Sequence, residues 1–203
     1  MAQLSLFSAD ARAALPTDLD GLLCGPAQIV RFGAGETARL SVVLAEPGRA
    51  PALLATCGAV GVEMETAATE DGRTVVRTAF RRDLVGLARR WTHGAVKAVP
   101  AGFQLDGPVL RMWALAAGRT DPRGGYLLEL DPRAPATHLP LVAAATRAGV
   151  APARVGGGGR PGRAPALRIG GTRRVRRLVE LVGPPPAGVA PADWPRGWGR
   201  DAG

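Results

Sequence analysis

The chain runs through the same order of elements twice, and this repetition limits its fold more than any other feature of its 203 residues. In the first round, residues 18–29 set Leu19, Leu22 and Leu23 at helical spacing and halt near Gly25-Pro26. Residues 37–45 alternate Arg39, Ser41 and Val43 with Leu40, Val42 and Leu44, the pattern of a half-buried strand. Residues 50–60 predict a helix, and residues 62–69 and 74–80 predict strands joined by the turn Glu70-Asp71-Gly72. A helix over 82–93, with Leu84, Leu87, Ala88 and Trp91 on one face, closes the round. The second round predicts a helix over 108–117, a strand over 125–131, a helix over 139–148, strands over 153–155 and 166–170, and a helix over 173–182. A further strand in each round is faintly marked, at 29–32 and 119–123. The expectation is an α+β molecule of two αββαββα halves, 18–93 and 108–183, related by a pseudo-two-fold axis and joined by a linker over 94–107. Residues 1–17 read as a flexible leading segment and 184–203 as a Pro/Gly/Trp-rich tail.

Charge is distributed unevenly over this frame. The formal net charge is +9, and 25 of the 26 cations are arginine, Lys97 being the exception. The chain also has 37 Ala and no Asn, so a GC-rich coding sequence accounts for part of the arginine. It does not account for placement. Residues 1–80 carry a net of three negative charges and residues 81–203 a net of twelve positive. Between 151 and 179 stand Arg154, Arg160, Arg163, Arg168, Arg173, Arg174, Arg176 and Arg177 with no acid among them, which points to a polyanionic partner. With 46% hydrophobic and 21% charged residues the chain is globular in composition. No apolar run is long enough to span a membrane. Residues 1–23 lack a basic start and a long apolar run, so no secretory signal is expected. Cys24 and Cys57 are too few for a disulfide framework and have no neighbouring ligands for a metal, so both are expected as buried thiols in a cytoplasmic, nucleoid-associated protein.

The runs Trp113-Ala114-Leu115-Ala116-Ala117-Gly118, Thr120-Asp121-Pro122 and Gly125-Tyr126-Leu127-Leu128-Glu129-Leu130, with Ala98-Val99-Pro100 and Arg111 before them, carry a resemblance. An apolar helix, a small-residue turn and a following strand, duplicated, resembles the LAGLIDADG homing-endonuclease fold. The order is also similar to the degenerate version of that fold at the amino terminus of WhiA-type regulators. The resemblance spans residues 18–183 and implies a DNA-facing surface on the strands. Regulators of that type carry a helix-turn-helix, whereas the residues after Gly183 read as tail.

LAGLIDADG nucleases place an acid from each half just past the glycine that ends the helix, so that the pair can hold divalent metal and activate water. Here Gly25 is followed by Pro26 to Phe32 without an acid, and Gly118 is followed by Asp121 alone. Asp121 therefore reads as a turn residue before Pro122. No catalysis, metal or cofactor is expected. Gly156 to Gly159 lacks the Gly-Lys-Ser/Thr of a phosphate loop and reads as a hairpin arm. His93 and His138 are solitary turn or helix-end residues, and Trp194 and Trp198 either dock on the core or face a partner.

Gln3-Leu4-Ser5-Leu6-Phe7 is similar to the peptide by which bacterial replication and repair proteins bind the sliding clamp. Leu6 and Phe7 would fill an apolar pocket, Gln3 would hydrogen-bond at its mouth, and Leu4 would cover a groove. The competing reading packs Leu4, Leu6 and Phe7 on the domain itself. The expectation is a non-enzymatic protein that binds double-stranded DNA with low base preference. Its contacts would be Arg39, Arg77, Arg154, Arg160, Arg163, Arg168, Arg173 and Arg174, and the sliding clamp would tether it for replication, repair or chromosome maintenance. A WhiA-related regulator of transcription, cell division or sporulation, acting through protein partners, is the alternative.

Overall fold

A computed structural model describes residues 8–9, 12–157 and 164–197. A 3-10 turn, Pro16–Leu19, leads into the short helix α1, Asp20–Cys24. Strands β1, Gln28–Phe32, and β2, Thr37–Val43, form a hairpin, and helix α2, Ala50–Ala59, precedes β3, Glu65–Ala68, and β4, Thr74–Arg77. Helix α3, Val85–Trp91, ends the half, and β5, Thr92–His93, pairs with β6, Val96–Lys97. The second half comprises α4, Gly107–Ala117; β7, Gly118–Thr120; β8, Tyr126–Glu129; α5, His138–Arg147; β9, Ala153–Val155; β10, Ala166–Ile169; and α6, Thr172–Val182. Each half builds a four-stranded antiparallel sheet, and the strand orders β1-β2-β4-β3 and β7-β8-β10-β9 are the same.

Local signals explain most of these boundaries. Asp106 caps α4 by accepting a hydrogen bond from the Val109 N–H at 3.0 Å, and Pro108 occupies its first turn. Helix α6 buries Val175, Leu178, Leu181 and Val182 and stops at Gly183, whose φ of 66° favours glycine. In β2, Ala38, Leu40 and Val42 are buried, while Arg39, Ser41 and Val43 turn to the opposite face.

The halves meet where α1 packs on α4. A Cβ on Gly21 would stand 2.1 Å from the Val109 carbonyl oxygen and 2.8 Å from Met112 Cβ, so the two backbones touch at a point no side chain could enter. Gly118, at the end of α4, is closed in the same way by the Ala114 carbonyl and the Tyr126 hydroxyl. One apolar core runs through both halves and includes Leu22, Leu23, Trp91, Trp113, Leu128 and Trp194.

The faintly marked strands are present as β1, three residues after α1, and β7, which leaves α4 directly. Helix α3 starts three residues later than its pattern predicts, because Arg81 is still paired with Ala38 in a bridge and its guanidinium holds Asp83 and the Gly61 carbonyl. The segment read as a linker contains β6 and the buried Lys97. The tail is ordered on the core as far as it is described. Trp194 is buried and donates from Nε1 to the Gly183 carbonyl at 2.9 Å, with the Arg111 guanidinium over its ring. Trp198 lies outside the described residues.

Candidate functional site

Both central helices run out against a buried cation. At the end of α1, Lys97 Nζ donates to the carbonyls of Gly25 at 2.6 Å and Ala27 at 2.8 Å and to Asp131 Oδ2 at 3.1 Å. Asp131 comes from the other half, immediately beyond β8. It also accepts from Gln28 Nε2 at 2.5 Å and from the Arg133 N–H at 2.9 Å. Its carbonyl meets the ring of His138, Nε2 lying 2.8 Å away. Burial pushes the Lys97 pKa below the ordinary lysine value, and Asp131 opposes that shift. At the end of α4, Arg49 Nη1 donates to the carbonyls of Ala114 at 3.0 Å and Leu115 at 3.4 Å, and Nη2 reaches the Asp193 carbonyl at 2.8 Å. Positive charge is favourable at a helix C-terminus, where the last carbonyls lack intrahelical partners.

The carboxylate at the end of α1, Asp131, is held by Lys97, so a divalent cation there would have to share the space with buried positive charge. Among the described residues no group of three or more His, Cys, Asp or Glu is placed to hold a metal. Asp121 holds the β7–β8 turn as expected, accepting the Arg123 N–H at 3.1 Å, and it is ion-paired with Arg168. Burial raises its carboxyl pKa, but the Arg123 N–H and Arg168 outweigh that and leave it below the ordinary value. The thiols of Cys24 and Cys57 are buried, and desolvation raises both pKa values, Cys57 to about 12.

The sheet faces turned away from the helices are the other candidate surface. Register places Arg39 and Arg77 on this face in the first half and Arg119 and Arg168 on it in the second. Three of these guanidiniums are committed: Arg77 to Glu65 at 2.9 Å, Arg119 to Glu129 at 3.3 Å, and Arg168 to Asp121. Arg39 has no carboxylate partner among the described residues. It lies over the Phe80 ring, 4.7 Å from the centroid, and its Nε is enclosed without an acceptor. Phe80 in turn packs against Phe32, with centroids 5.0 Å apart and the rings tilted by 39°.

The arginines singled out in the sequence do not form one row. Arg154 is opposite Leu167, a core residue, so it projects to the helical side of its sheet while Arg168 projects to the other. Arg173 and Arg174 are exposed on α6, also on the helical side, and have no carboxylate partner among the described residues. Arg160 and Arg163, like Gln3, Leu4, Ser5, Leu6 and Phe7, lie outside the described residues.

Sequence reasoning passed over the Phe32–Phe80–Arg39 group and the two helix-end cations. The solitary lysine among arginines is a usable signal for Lys97, whereas nothing in the sequence distinguishes Arg49 from the other arginines. Alternation in the short strand β1 would have set Phe32 on the face of Val30, away from the core.

No family model matches the chain, and no curated protein matches its sequence. No match bears on the narrower likeness to WhiA-type regulators. Among solved structures, the chain is similar to the homing endonuclease I-WcaI bound to its DNA recognition sequence, with a TM-score of 0.56 and 10% sequence identity over 90% of this chain and 83% of that one. The fold is thus that of the LAGLIDADG homing endonucleases, with two repeated halves.

Proposed function

We propose that the protein is a non-catalytic DNA-binding protein that uses the endonuclease scaffold as a nucleic-acid platform. The observation that carries this reading is a buried base at both helix ends: Lys97, ion-paired with Asp131, and Arg49 close the C-termini of α1 and α4, where metal-dependent cleavage would need carboxylates free to hold a cation. The similar I-WcaI structure is of a protein bound to DNA, which supports the same partner class for this chain. The exposed pair Arg77–Glu65 on the sheet face costs little to exchange for a phosphate, because such pairs contribute only about 0–1 kcal/mol. Arg173 and Arg174, without a carboxylate partner among the described residues, add charge on the helical side of the second half.

The sequence Gln3 to Phe7 supports a tether to the sliding clamp, and with it a task in replication, repair or chromosome maintenance. A short peptide of this kind binds weakly alone, and simultaneous DNA contact raises its occupancy.

The test is fluorescence anisotropy on unrelated DNA sequences across a salt series, with Mg²⁺ present and the products run on a gel. Binding that weakens steeply with salt, varies little with sequence and leaves the strands intact is expected. Strand cleavage would overturn the non-catalytic reading, and absence of binding would overturn the DNA reading. Leu6→Ala with Phe7→Ala should abolish capture by purified clamp and leave DNA affinity unchanged; retained capture would remove the tether.

A further inference from the structure

We infer that the outer face of the first sheet holds a stacking site for an unpaired nucleobase, built from Phe32, Phe80 and Arg39, so that the protein prefers single-stranded DNA to duplex. This rests on the DNA-binding reading and makes its ligand specific.

Phe32 is 65% exposed and Phe80 39%, on a surface where strand alternation would ordinarily put polar side chains. Val30, 47% exposed, adjoins them on β1. Large apolar side chains clustered on an open sheet face mark a binding surface rather than a core. The geometry selects the occupant. The Arg39 guanidinium lies against the Phe80 ring, and the Phe80 ring packs on Phe32 at a tilt of 39°, which leaves a largely exposed face of Phe32 on which a flat aromatic group can stack.

Charge selects it further. Arg39 on this face, Arg31 on β1 and Arg82 just beyond Phe80 have no carboxylate partner among the described residues. Asp83 is taken by Arg81, and Glu36, in the turn after Phe32, is the exposed acid nearest in sequence. A planar aromatic ligand that carries negative charge on its backbone satisfies both demands. Along the open edge of β1 lies a hollow of about 570 Å³, bounded by Val30, Arg31, the turn at Gly33 to Gly35, and Gly94-Ala95. It leaves room beside Phe32 for a neighbouring nucleotide.

In a duplex the bases already stack on one another, so a duplex offers the rings only sugar and phosphate. Unpaired bases present their faces, and base–aromatic stacking tolerates any sequence. The first half, residues 18–93, carries nine acids and nine arginines, so it is better suited to holding a base than to a grip on many phosphates.

The experiment measures anisotropy of labelled oligo-dT and of a duplex of equal length with the full chain, Phe32→Ala, Phe32→Trp and Arg39→Gln. The wild type should bind oligo-dT more tightly. Phe32→Ala should weaken oligo-dT about ten- to hundredfold while leaving the duplex unchanged, and Phe32→Trp should preserve binding. Photocrosslinking of 5-iodouracil-substituted oligo-dT should map to Phe32 or Phe80. Thermal melting should match the wild type for Phe32→Ala, since the ring is mostly in solvent. Unchanged oligo-dT affinity in Phe32→Ala, with duplex binding intact, overturns the stacking site and leaves the DNA reading standing. Failure to bind either DNA overturns both. A wild-type dimer that Phe32→Ala disperses would assign the patch to self-association and overturn the inference.

Discussion

Replacing Lys97 by methionine should destabilise the protein by about 3 kcal/mol, toward the lower end of the ~3–5 kcal/mol expected when one partner of a buried ion pair is removed. The magnitude follows from the contacts. The side chains of Lys97 and Asp131 are 6% and 3% exposed, so neither charge is hydrated in the native state. Methionine keeps most of the volume of the lysine stem and removes the ammonium. The carbonyls of Gly25 and Ala27 then lose a donor, and Asp131 retains only Gln28 Nε2 and the Arg133 N–H. Those two donors are the reason to place the cost low in the range. For a chain of this length the loss corresponds to a fall in Tm of roughly 6–12 °C. The assay is urea unfolding followed by tryptophan fluorescence at neutral pH, on Lys97→Met, Asp131→Asn and the double variant. Neutralising Asp131 in the Lys97→Met background should recover about 1–2 kcal/mol, because the orphaned charge is gone and only the carbonyls remain unmet. If Lys97→Met costs less than about 1 kcal/mol, or if the second substitution destabilises it further, the account of Lys97 as the cation that closes α1 against the other half is wrong.

Gly21→Ala should cost at least about 2–3 kcal/mol and loosen the contact between halves, since its Cβ would meet the Val109 carbonyl oxygen at 2.1 Å; a melting temperature within a degree or two of wild type would show that the helices part easily. Stability should fall as pH rises above about 9, because burial raises Cys57 from 9.0 to about 12 and Tyr126 from 10.0 to about 12. The native state keeps protons there that the unfolded chain has released, which gives a slope of about 1.4 kcal/mol per pH unit for each group. Urea midpoints for Cys57→Ala should decline less steeply than wild type over that range, and equal slopes would refute the assignment. Trp194→Ala should cost about 3–5 kcal/mol and expose the segment after Gly183 to protease, as the ring is buried and its Nε1 is bonded to Gly183; unchanged proteolysis would mean the tail is held elsewhere.

The legible parts of the fold are those written in periodicity. The alternation of β2 and the apolar face of α6 each depend on one element meeting one core, and both appear within a residue or two of their patterns. Strands β1 and β7 were faint because they are short, and neither carries a clean alternation: in β1 only Ile29 is buried, while Val30, Arg31 and Phe32 are exposed. Helix α3 was read too long because a bridge between Ala38 and Arg81, remote in sequence, holds residue 81 extended. The arginines expected to contact DNA do not all share a face, for a related reason. Arg154 and Arg168 look alike in a list, but antiparallel pairing with Leu167 turns one of them to the opposite face.

The amino-acid sequence alone establishes the duplication, the approximate position of each repeated element and the missing acid beyond Gly25, since these depend on local spacing and residue identity. The tertiary structure supplies the rest. Lys97 reaches Asp131 across 34 positions of chain, Arg49 reaches the end of α4 across 65, and Arg39 lies against Phe80 while Glu65 and Asp83 pair with Arg77 and Arg81. Charge compensation and close backbone approach are properties of surfaces brought together by folding, and residue order by itself does not specify which cation each carboxylate will hold.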